Sequence, residues 1–455
     1  MNPPLLTFYG DDFTGSTDVM EALTLGGVPT VLFLAPPAPQ FFAERFPQAR
    51  ALGVAGVSRS MSPAQMDAEL PPIFNALAAF RAPLFHYKIC STFDSSPTVG
   101  SIGRATELGM RAFGAGVVPL VVGAPVLKRY VAFGNLFATV GEETYRLDRH
   151  PTMRQHPITP MHEADLRLHL AQQTDCRVGL VDLRHLATWE GLAARWQRLV
   201  EEGCEIVLFD TLDERHLQTI GGWLWGLRDA QPLFVVGSSG VEYALTRHWQ
   251  HTGQVNPAQA ERCADPVPQT LVVSGSAAPQ TAAQIEWALA NGFHGIRLDS
   301  PTLVDPNRAE SARQSALEQA LAVLRAGGSP LLYSALGPDD PTIAATREAM
   351  RALGIDPQTV GEQLGAQQGR LLRELLERFP LRRVCVSGGD TCGHAARQLD
   401  IYALEYVMPI APGSPLCRAC SHQAAFDGLD IALKAGQVGR LDYFGTLLSG
   451  RVPAS

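Results

Sequence analysis

The sequence predicts an α/β protein of two domains, each a mainly parallel sheet flanked by helices. Short apolar runs alternate with longer amphipathic stretches along most of the chain, which is the pattern of parallel strands covered by helices on both faces. The 455 residues exceed what a single core usually holds. A polar, proline-bearing segment without periodicity separates two such series. We therefore predict a first domain over 1–250, a linker over 251–269 and a second domain over 270–455.

The predicted strands are fully buried, because their apolar runs lack the polar alternation of a half-exposed strand. In the first domain they are 5–9, 30–34, 52–57, 84–89, 117–122, 177–183, 205–210 and 233–237. In the second domain they are 270–274, 330–334 and 383–387. Residues 128–160 interrupt the alternation and are rich in glycine, proline, histidine and arginine. Connections of this length are generally lids or binding loops.

Charge and composition exclude several classes of protein. A formal net charge of -8 argues against a nucleic-acid partner. No apolar run approaches the roughly 20 residues that span a bilayer, and the first residues lack the features of a signal peptide, so we expect no membrane association and a cytoplasmic location. The eight cysteines are scattered, as reduced core thiols are. Cys417 and Cys420 form one CxxC without a second ligand pair, so we predict no metal site, with a zinc site as the minor alternative.

The first candidate motif is Tyr9-Gly10-Asp11-Asp12-Phe13-Thr14-Gly15-Ser16, which follows the first strand and opens a helix. In a parallel sheet this is the carboxyl end of a strand, where ligands bind. Two adjacent carboxylates cannot both cap one helix end, so at least one of Asp11 and Asp12 is expected to face a ligand. The alternative is an ordinary capped helix start.

The second motif follows the strand at 84–89. It places Lys88, Ser91, Thr92 and Asp94 in one turn, and Lys88 is one of only three lysines in a chain that otherwise uses arginine. A compact cation beside hydroxyl and carboxylate groups suits a polyhydroxylated anion. A serine- and threonine-rich turn that caps a helix would explain Asp94 without explaining Lys88.

The third motif joins the strand at 383–387 to a helix through Gly388, Gly389, Asp390 and Thr391. Glycines and a helix N-terminus let backbone amides approach phosphate oxygens, and Asp390 can position Mg²⁺ or act as a base. The alternative is a pair of ordinary strand–helix turns. Further candidates for phosphate contact repeat this pattern or lie near the end of the domain: Ser274, Gly275, Ser276, Gly413, Lys434 and Gly436.

These motifs together resemble the four-carbon acid sugar kinase family, once catalogued as a domain of unknown function. The resemblance rests on YGDDFTGSTDV, on YKICSTFDSS and on SGGDT, and runs from about residue 6 to about residue 445. The segment MRQHPITPM, residues 153–161, resembles the corresponding loop of the 3-oxo-tetronate kinase branch. P-loop, GxGxxG and protein-kinase signatures are absent from the sequence.

The resemblance implies a sugar-acid-binding N-terminal domain, a nucleotide-binding C-terminal domain and an active site in the interdomain cleft. ATP, with Mg²⁺, would phosphorylate the terminal hydroxyl of a four-carbon acid sugar of the 3-oxo-tetronate, threonate or erythronate type. On the substrate side Arg59 and Lys88 would hold the carboxylate. Asp390 is the first candidate for the general base and Asp12 the second. Arg154 and His156 of the long loop are expected to close over the substrate.

One segment departs from the family pattern. Residues 130–145 replace the usual arginine-bearing stretch, so a slightly larger oxo-acid sugar such as 3-oxo-isoapionate is the main alternative substrate. A non-catalytic nucleotide and sugar-acid binding protein is a weaker alternative, and an oxidoreductase is disfavoured by the missing dinucleotide motif. The expected partners are the small-molecule sugar acid and ATP, and a homo-oligomer is compatible with the sequence.

Overall fold

The computed structural model describes residues 3–156, 158–228, 232–257 and 263–452, with the side chain of Asp390 left out. The chain divides into two compact units, Met1–Gln259 and Ala260–Ser455. None of the described helices is both long enough and apolar enough to cross a membrane.

The first unit contains strands whose positions match the buried apolar runs, together with three that the sequence did not indicate. They are β1 Leu6–Gly10, β2 Thr30–Phe33, β3 Ala51–Ala55, β4 Leu84–Lys88, β5 Val118–Val121, β6 Arg129–Ala132, β7 Asn135–Val140, β8 Glu143–Arg146, β9 Val178–Val181, β10 Ile206–Phe209 and β11 Leu233–Gly237. Its helices are α1 Phe13–Leu25, α2 Pro39–Arg45, α3 Pro63–Ala78, α4 Ile102–Phe113, α5 Leu166–Leu170, α6 Trp189–Glu201, α7 Glu214–Gly226 and α8 Gly240–His251.

The strands of this unit form a parallel sheet in the order β2-β3-β1-β4-β11-β5-β10-β9. Gly10 of β1 is in register with Lys88 of β4, and Lys88 is in register with Gly237 of β11. The first two motifs therefore leave adjacent strands at the same edge of the sheet. This edge is the carboxyl edge, where parallel sheets bind ligands.

The long loop is partly regular, contrary to the irregular segment that the sequence indicated. Strands β6, β7 and β8 form an antiparallel meander, followed by short 3-10 helices at Leu147–Arg149 and Met153–Gln155. The burial of β7 alternates along the strand, as expected for a half-exposed sheet. Its glycines and charged residues hid this pattern in the sequence.

The second unit has a further seven strands and seven α-helices within the described residues. Its strands are β12 Leu271–Ser274, β13 Phe293–Arg297, β14 Ser329–Tyr333, β15 Arg383–Ser387, β16 Ile401–Ala411, β17 Ser414–Ser421 and β18 Asp430–Lys434. Its helices are α9 Pro279–Ala290, α10 Ser300–Leu303, α11 Ala309–Arg325, α12 Pro341–Ala352, α13 Val360–Arg378, α14 Gly389–Gln398 and α15 Tyr443–Ser449.

The strand order in this unit is β13-β14-β12-β15-β18-β17-β16. The first five strands run parallel, and β17 and β16 are antiparallel additions. The predicted fold class, mainly parallel sheets flanked by helices, is thus confirmed for both units. The sequence did not indicate β13, because it carries exposed polar residues, nor the hairpin of β16 and β17, whose turn contains Gly413 at a φ of +73°.

Candidate active site

The two adjacent carboxylates of the first motif share one arginine. Asp11 follows β1, and Asp12 caps α1, since its Oδ1 accepts the amide of Gly15 at 2.8 Å. Arg59 donates to Asp11 from Nε at 3.1 Å and from Nη2 at 2.7 Å. It also donates to Asp12 from Nη1 at 2.9 Å and from Nη2 at 2.8 Å. Burial raises the pKa of the Asp11 carboxyl, and the guanidinium of Arg59 partly opposes that rise.

The ammonium group of Lys88 lies close to Asp12 and Arg59, next to Gly15. A Cβ atom at Gly15 would lie 2.5 Å from Oδ1 of Asp12, 2.8 Å from Nζ of Lys88 and 3.7 Å from Nη2 of Arg59. Any side chain at position 15 would therefore displace these groups. The structure brings Asp11, Asp12, Arg59 and Lys88 together as the sequence predicted, with Lys88 itself 3% exposed.

The turn after β4 supplies the hydroxyl groups. The hydroxyl of Thr92 donates to Oδ1 of Asp94 at 2.7 Å and lies 2.9 Å from the Cys90 thiol. Burial, reinforced by the Asp94 carboxylate, raises the pKa of Cys90 to about 11, so the thiol is neutral. Thr92 and Asp94 are buried and Ser91 is half-buried.

Buried acidic residues behind Lys88 were missed by the sequence analysis. Asp18 of α1 is 8% exposed, and burial raises the pKa of its carboxyl while Lys88 opposes that rise. Glu242 of α8 is fully buried, and its Oε1 lies 2.5 Å from Nδ1 of His86. Asp18 lies within the first family motif, where it was not singled out as a site residue, and Glu242 lies in a helix where no local motif distinguishes it from a surface carboxylate.

The meander is tied to the sheet by one buried carboxylate. Asp210, at the end of β10, accepts the amides of Phe133 at 2.7 Å, Gly134 at 2.9 Å and Leu183 at 3.1 Å. Burial raises the pKa of the Asp210 carboxyl, and these three amides oppose the rise. The meander is therefore held against the carboxyl edge of the sheet.

The two loop residues that were expected to close over the substrate do not join this group. The side chain of Arg154 is exposed to solvent. Nδ1 of His156 accepts the amide of Thr159 at 3.1 Å, which commits that nitrogen to the local turn. The role expected for Arg154 and His156, closing over the substrate, stays a prediction.

A cavity of about 450 Å³ in the second unit contains most of the third motif. Among its lining residues are six that the sequence predicted: Gly275, Ser276, Gly388, Gly389, Thr391 and Gly436. The lining also includes the apolar residues Ala335, Pro338, Ile343, Val360 and Leu364. A polar, glycine-rich part and an apolar part in one cavity fit the phosphates and the base of a nucleotide.

The glycines of this cavity are required by close approach. A Cβ atom at Gly275 would lie 2.1 Å from Oγ1 of Thr391 and 2.6 Å from Oε1 of Gln368. Gly388 has a φ of +115°, which L-residues with side chains rarely adopt. Helix α14 begins directly after it without a side-chain cap, so its first amides can donate hydrogen bonds to an anion.

Gln368 is a further residue that the sequence analysis missed. Its Nε2 donates to the carbonyl of Ser274 at 3.2 Å, and its Oε1 accepts the hydroxyl of Thr391 at 2.9 Å. It therefore joins the two glycine turns of the cavity. Gln368 lies inside the amphipathic helix α13, where nothing in the local sequence marks it.

Three predicted nucleotide-side residues lie elsewhere than expected. Nζ of Lys434 donates to Oγ1 of Thr281 at 3.0 Å and to the carbonyls of Ala435 at 2.9 Å and Gly436 at 3.4 Å. These bonds commit the ammonium group to the turn instead of to a phosphate, and burial lowers the pKa of Lys434 to about 8. Gly413 lies in the hairpin turn and Ser274 beneath the cavity, and neither lines it.

The remaining predictions concern metals, thiols and the general base. Within the described ranges no group of three or more histidine, cysteine, aspartate or glutamate side chains could hold a metal ion. The structure describes all eight cysteines, and none of them forms a disulfide. Asp390 belongs to the first turn of α14, and its side chain lies outside what the structure describes.

Comparison with known proteins gives the same division of the chain. Residues 6–245 match the family of the sugar-binding N-terminal domain, and residues 271–444 match that of the nucleotide-binding C-terminal domain. A 3-oxo-isoapionate kinase of Paraburkholderia graminis is 47% identical, covering 98% of this chain and 95% of its own length. A 3-oxo-tetronate kinase of Pectobacterium atrosepticum is 30% identical, covering 96% of this chain and 97% of its own.

Solved structures share the fold along the whole chain. A crystal structure from Salmonella typhimurium superposes with a TM-score of 0.75 at 25% sequence identity, covering 97% of this chain and 98% of its own. The two matched domains, and the similarity of the whole chain to enzymes that are kinases, confirm the resemblance seen in the motifs. The chain therefore belongs to the four-carbon acid sugar kinase family, whose members join a sugar-binding domain to a nucleotide-binding domain.

Proposed function

We propose that this kinase transfers the γ-phosphoryl group of ATP to the terminal hydroxyl of 3-oxo-isoapionate. The observation that carries the choice of substrate is the 47% identity to a 3-oxo-isoapionate kinase over nearly the whole chain. Identity to the 3-oxo-tetronate kinases is close to 30%. Residues 130–145, which depart from the expected pattern, belong largely to the meander beside the carboxyl edge. We keep 3-oxo-tetronate as the second candidate, because those relatives also match along nearly the whole chain.

On the substrate side, the geometry supports different roles for the two cations. Arg59 donates four hydrogen bonds to Asp11 and Asp12, so its charge is already balanced and we propose that it orders the acidic pair. Lys88 contributes positive charge beside Asp12, where a transferred phosphoryl group needs it. The hydroxyls of Ser91 and Thr92 with the Asp94 carboxylate would bind sugar hydroxyls.

On the nucleotide side, we propose that the first amides of α14 and the Gly275 turn bind the ATP phosphates. The apolar residues of the cavity would contact the adenine. Mg²⁺, when bound to the phosphates, neutralises their charge, and Asp390 is the carboxylate that we propose for holding it or for accepting the proton of the acceptor hydroxyl. Asp12 is the less suitable base, because both of its oxygens already accept bonds from Arg59.

Since ATP and reduced thiols are found together in the cytoplasm, we place the reaction there.

The proposal is tested by an ATP-consumption screen with product masses. We expect 3-oxo-isoapionate to give the highest kcat/KM, ahead of 3-oxo-tetronate, threonate and erythronate, with a product heavier by one phosphoryl group. Asp390→Asn should abolish turnover and retain ATP binding. A higher kcat/KM for 3-oxo-tetronate would replace the proposed substrate, and ATP binding without consumption of any acid would identify a binding protein instead.

A further inference from the structure

Arg129, the first residue of β6, presents a buried donor without an acceptor. Its Nη1 donates to the carbonyls of Leu127 at 3.0 Å and Lys128 at 3.1 Å, which fixes the plane of the guanidinium. Its Nε is buried and has no hydrogen-bond partner among the described residues. A buried N–H group normally finds an acceptor, since leaving it unpaired carries the full cost of removing it from water.

His150 presents a second such donor. The side chain is 4% exposed, and its Nδ1 accepts the amides of Thr152 at 3.2 Å and Met153 at 3.1 Å. Because Nδ1 accepts, the proton of the neutral ring must be on Nε2. Nε2 is buried and likewise has no partner within the described part of the chain.

The two donors lie in each other's electrostatic range and cannot satisfy each other. Burial lowers the pKa of His150, and the positive charge of Arg129 lowers it further, which keeps the ring neutral. Burial also lowers the pKa of Arg129, while Cys90 and Asp94 of the turn after β4 oppose that change. Arg129 therefore lies within electrostatic range of the turn that carries the substrate-side hydroxyls.

We propose that Arg129 and His150 bind the carboxylate of the sugar-acid substrate. This assignment rests on the proposed function and deepens it. A carboxylate has two oxygens and one negative charge, and the pair offers two donors and one positive charge. Arg59, which the sequence suggested for this role, is already engaged by Asp11 and Asp12.

Three variants separate binding of the carboxylate from support of the loop. Arg129→Gln removes the positive charge and the Nη donors of the guanidinium, while its amide nitrogen can still donate from near the position of Nε. His150→Asn keeps an acceptor near the position of Nδ1, so the amides of Thr152 and Met153 stay paired, and it removes the Nε2 donor. His150→Gln keeps a donor, because its amide NH₂ reaches the position of Nε2, and it removes the acceptor at the position of Nδ1. Arg146→Gln is the matched control, since Arg146 lies on β8 of the same meander, is exposed and pairs only with Asp148 among the described residues.

The KM for 3-oxo-isoapionate and the Kd for ATP are measured for each variant. We expect Arg129→Gln and His150→Asn to raise KM about 10- to 100-fold, as loss of a charge-assisted or buried hydrogen bond does, with the Kd for ATP unchanged. His150→Gln should retain more substrate affinity than His150→Asn, and Arg146→Gln should match the wild type. An analogue with a hydroxymethyl group in place of the carboxylate should bind the wild type and Arg129→Gln equally weakly.

The outcomes distinguish the two levels of the assignment. If the wild type phosphorylates no acid in the panel, both the proposed function and this assignment are overturned. If the wild type is active and Arg129→Gln and His150→Asn keep its KM, only the assignment is overturned. An equal loss of affinity for the acid and for the neutral analogue would likewise overturn it, because damage to the loop affects both ligands alike.

Discussion

Replacing Arg59 by glutamine should destabilise the first unit and should do so most strongly at neutral pH. The guanidinium is the partner of two carboxylates, and Asp11 is only 3% exposed. Breaking a buried ion pair by removing one partner costs about 3–5 kcal/mol. We expect about 3 kcal/mol, the lower end of that range, because Asp12 keeps contact with water and Lys88 remains close to it.

The sign of the pH dependence follows from Asp11. Burial raises the pKa of its carboxyl and Arg59 opposes the rise, so the variant should have a still higher pKa. A carboxyl whose pKa is raised by folding destabilises the fold above that pKa, and this loss disappears as the pH falls toward the unfolded value. The difference in unfolding free energy between wild type and Arg59→Gln should therefore be largest at neutral and higher pH, and it should shrink as the pH falls through the raised pKa of Asp11 toward the ordinary range of an aspartate.

Urea unfolding followed by tryptophan fluorescence measures this difference, because five of the six tryptophans lie within residues 1–259 and the signal reports mainly on that unit. Arg104→Gln is the control: Arg104 pairs with Asp67 and Glu107 at the surface, where such pairs contribute under about 1 kcal/mol. In an Asp11→Asn background the cost of Arg59→Gln should fall, since one of the two carboxylates is gone. A loss at Arg59 no larger than at Arg104, or one independent of pH, would refute the reasoning.

Three further perturbations test other parts of the molecule. Gly275→Ala should raise the Kd for ATP at least about tenfold in calorimetry, because its Cβ would lie 2.1 Å from Oγ1 of Thr391, whereas Gly393→Ala, whose Cβ has room, should leave it unchanged. Burial lowers the pKa of Lys434 to about 8. The wild type should therefore gain unfolding free energy relative to Lys434→Met as the pH rises from about 8 to about 10, where the unfolded lysine loses its proton. A difference in unfolding free energy that stays constant across that window would contradict the buried position. Asp210→Asn replaces an acceptor of three amides by a group that also donates. It should raise the KM for the acid while the Kd for ATP stays the same. An unchanged KM would show that the Asp210 anchor is dispensable.

The sequence predicted the buried parallel strands of the first unit, and the position of the first two motifs at strand ends, because their signals are local. A buried parallel strand is a short apolar run, and its carboxyl end is marked by the polar residues that follow, as at Asp11 and Lys88. The register between strands then brings the two motifs together, because Gly10 and Lys88 end adjacent strands and are paired with each other.

Residues whose role depends on distant partners could not be predicted in this way. Gln368 and Glu242 lie inside helices and acquire their partners only through packing against other elements. Lys434 was predicted to contact phosphates because glycines lie close to it in the sequence, yet it ends a buried strand and its ammonium group donates to carbonyls of its own turn. For Arg129 and His150 the informative feature is an unpaired donor, which exists only in three dimensions.

The closed base of the meander has a consequence for how this enzyme family can change. The amide of Leu136 donates to the carbonyl of Ala164, and the amide of Leu166 donates to the carbonyl of Gly134. The two ends of the segment between them are therefore hydrogen-bonded to each other. Such a segment can be exchanged as a unit, because its replacement leaves the closure and the Asp210 anchor in place. An exchange would carry His150 with it and leave Arg129 behind. Chimeras between relatives could therefore redirect the choice of acid while half of its recognition stays in the host scaffold.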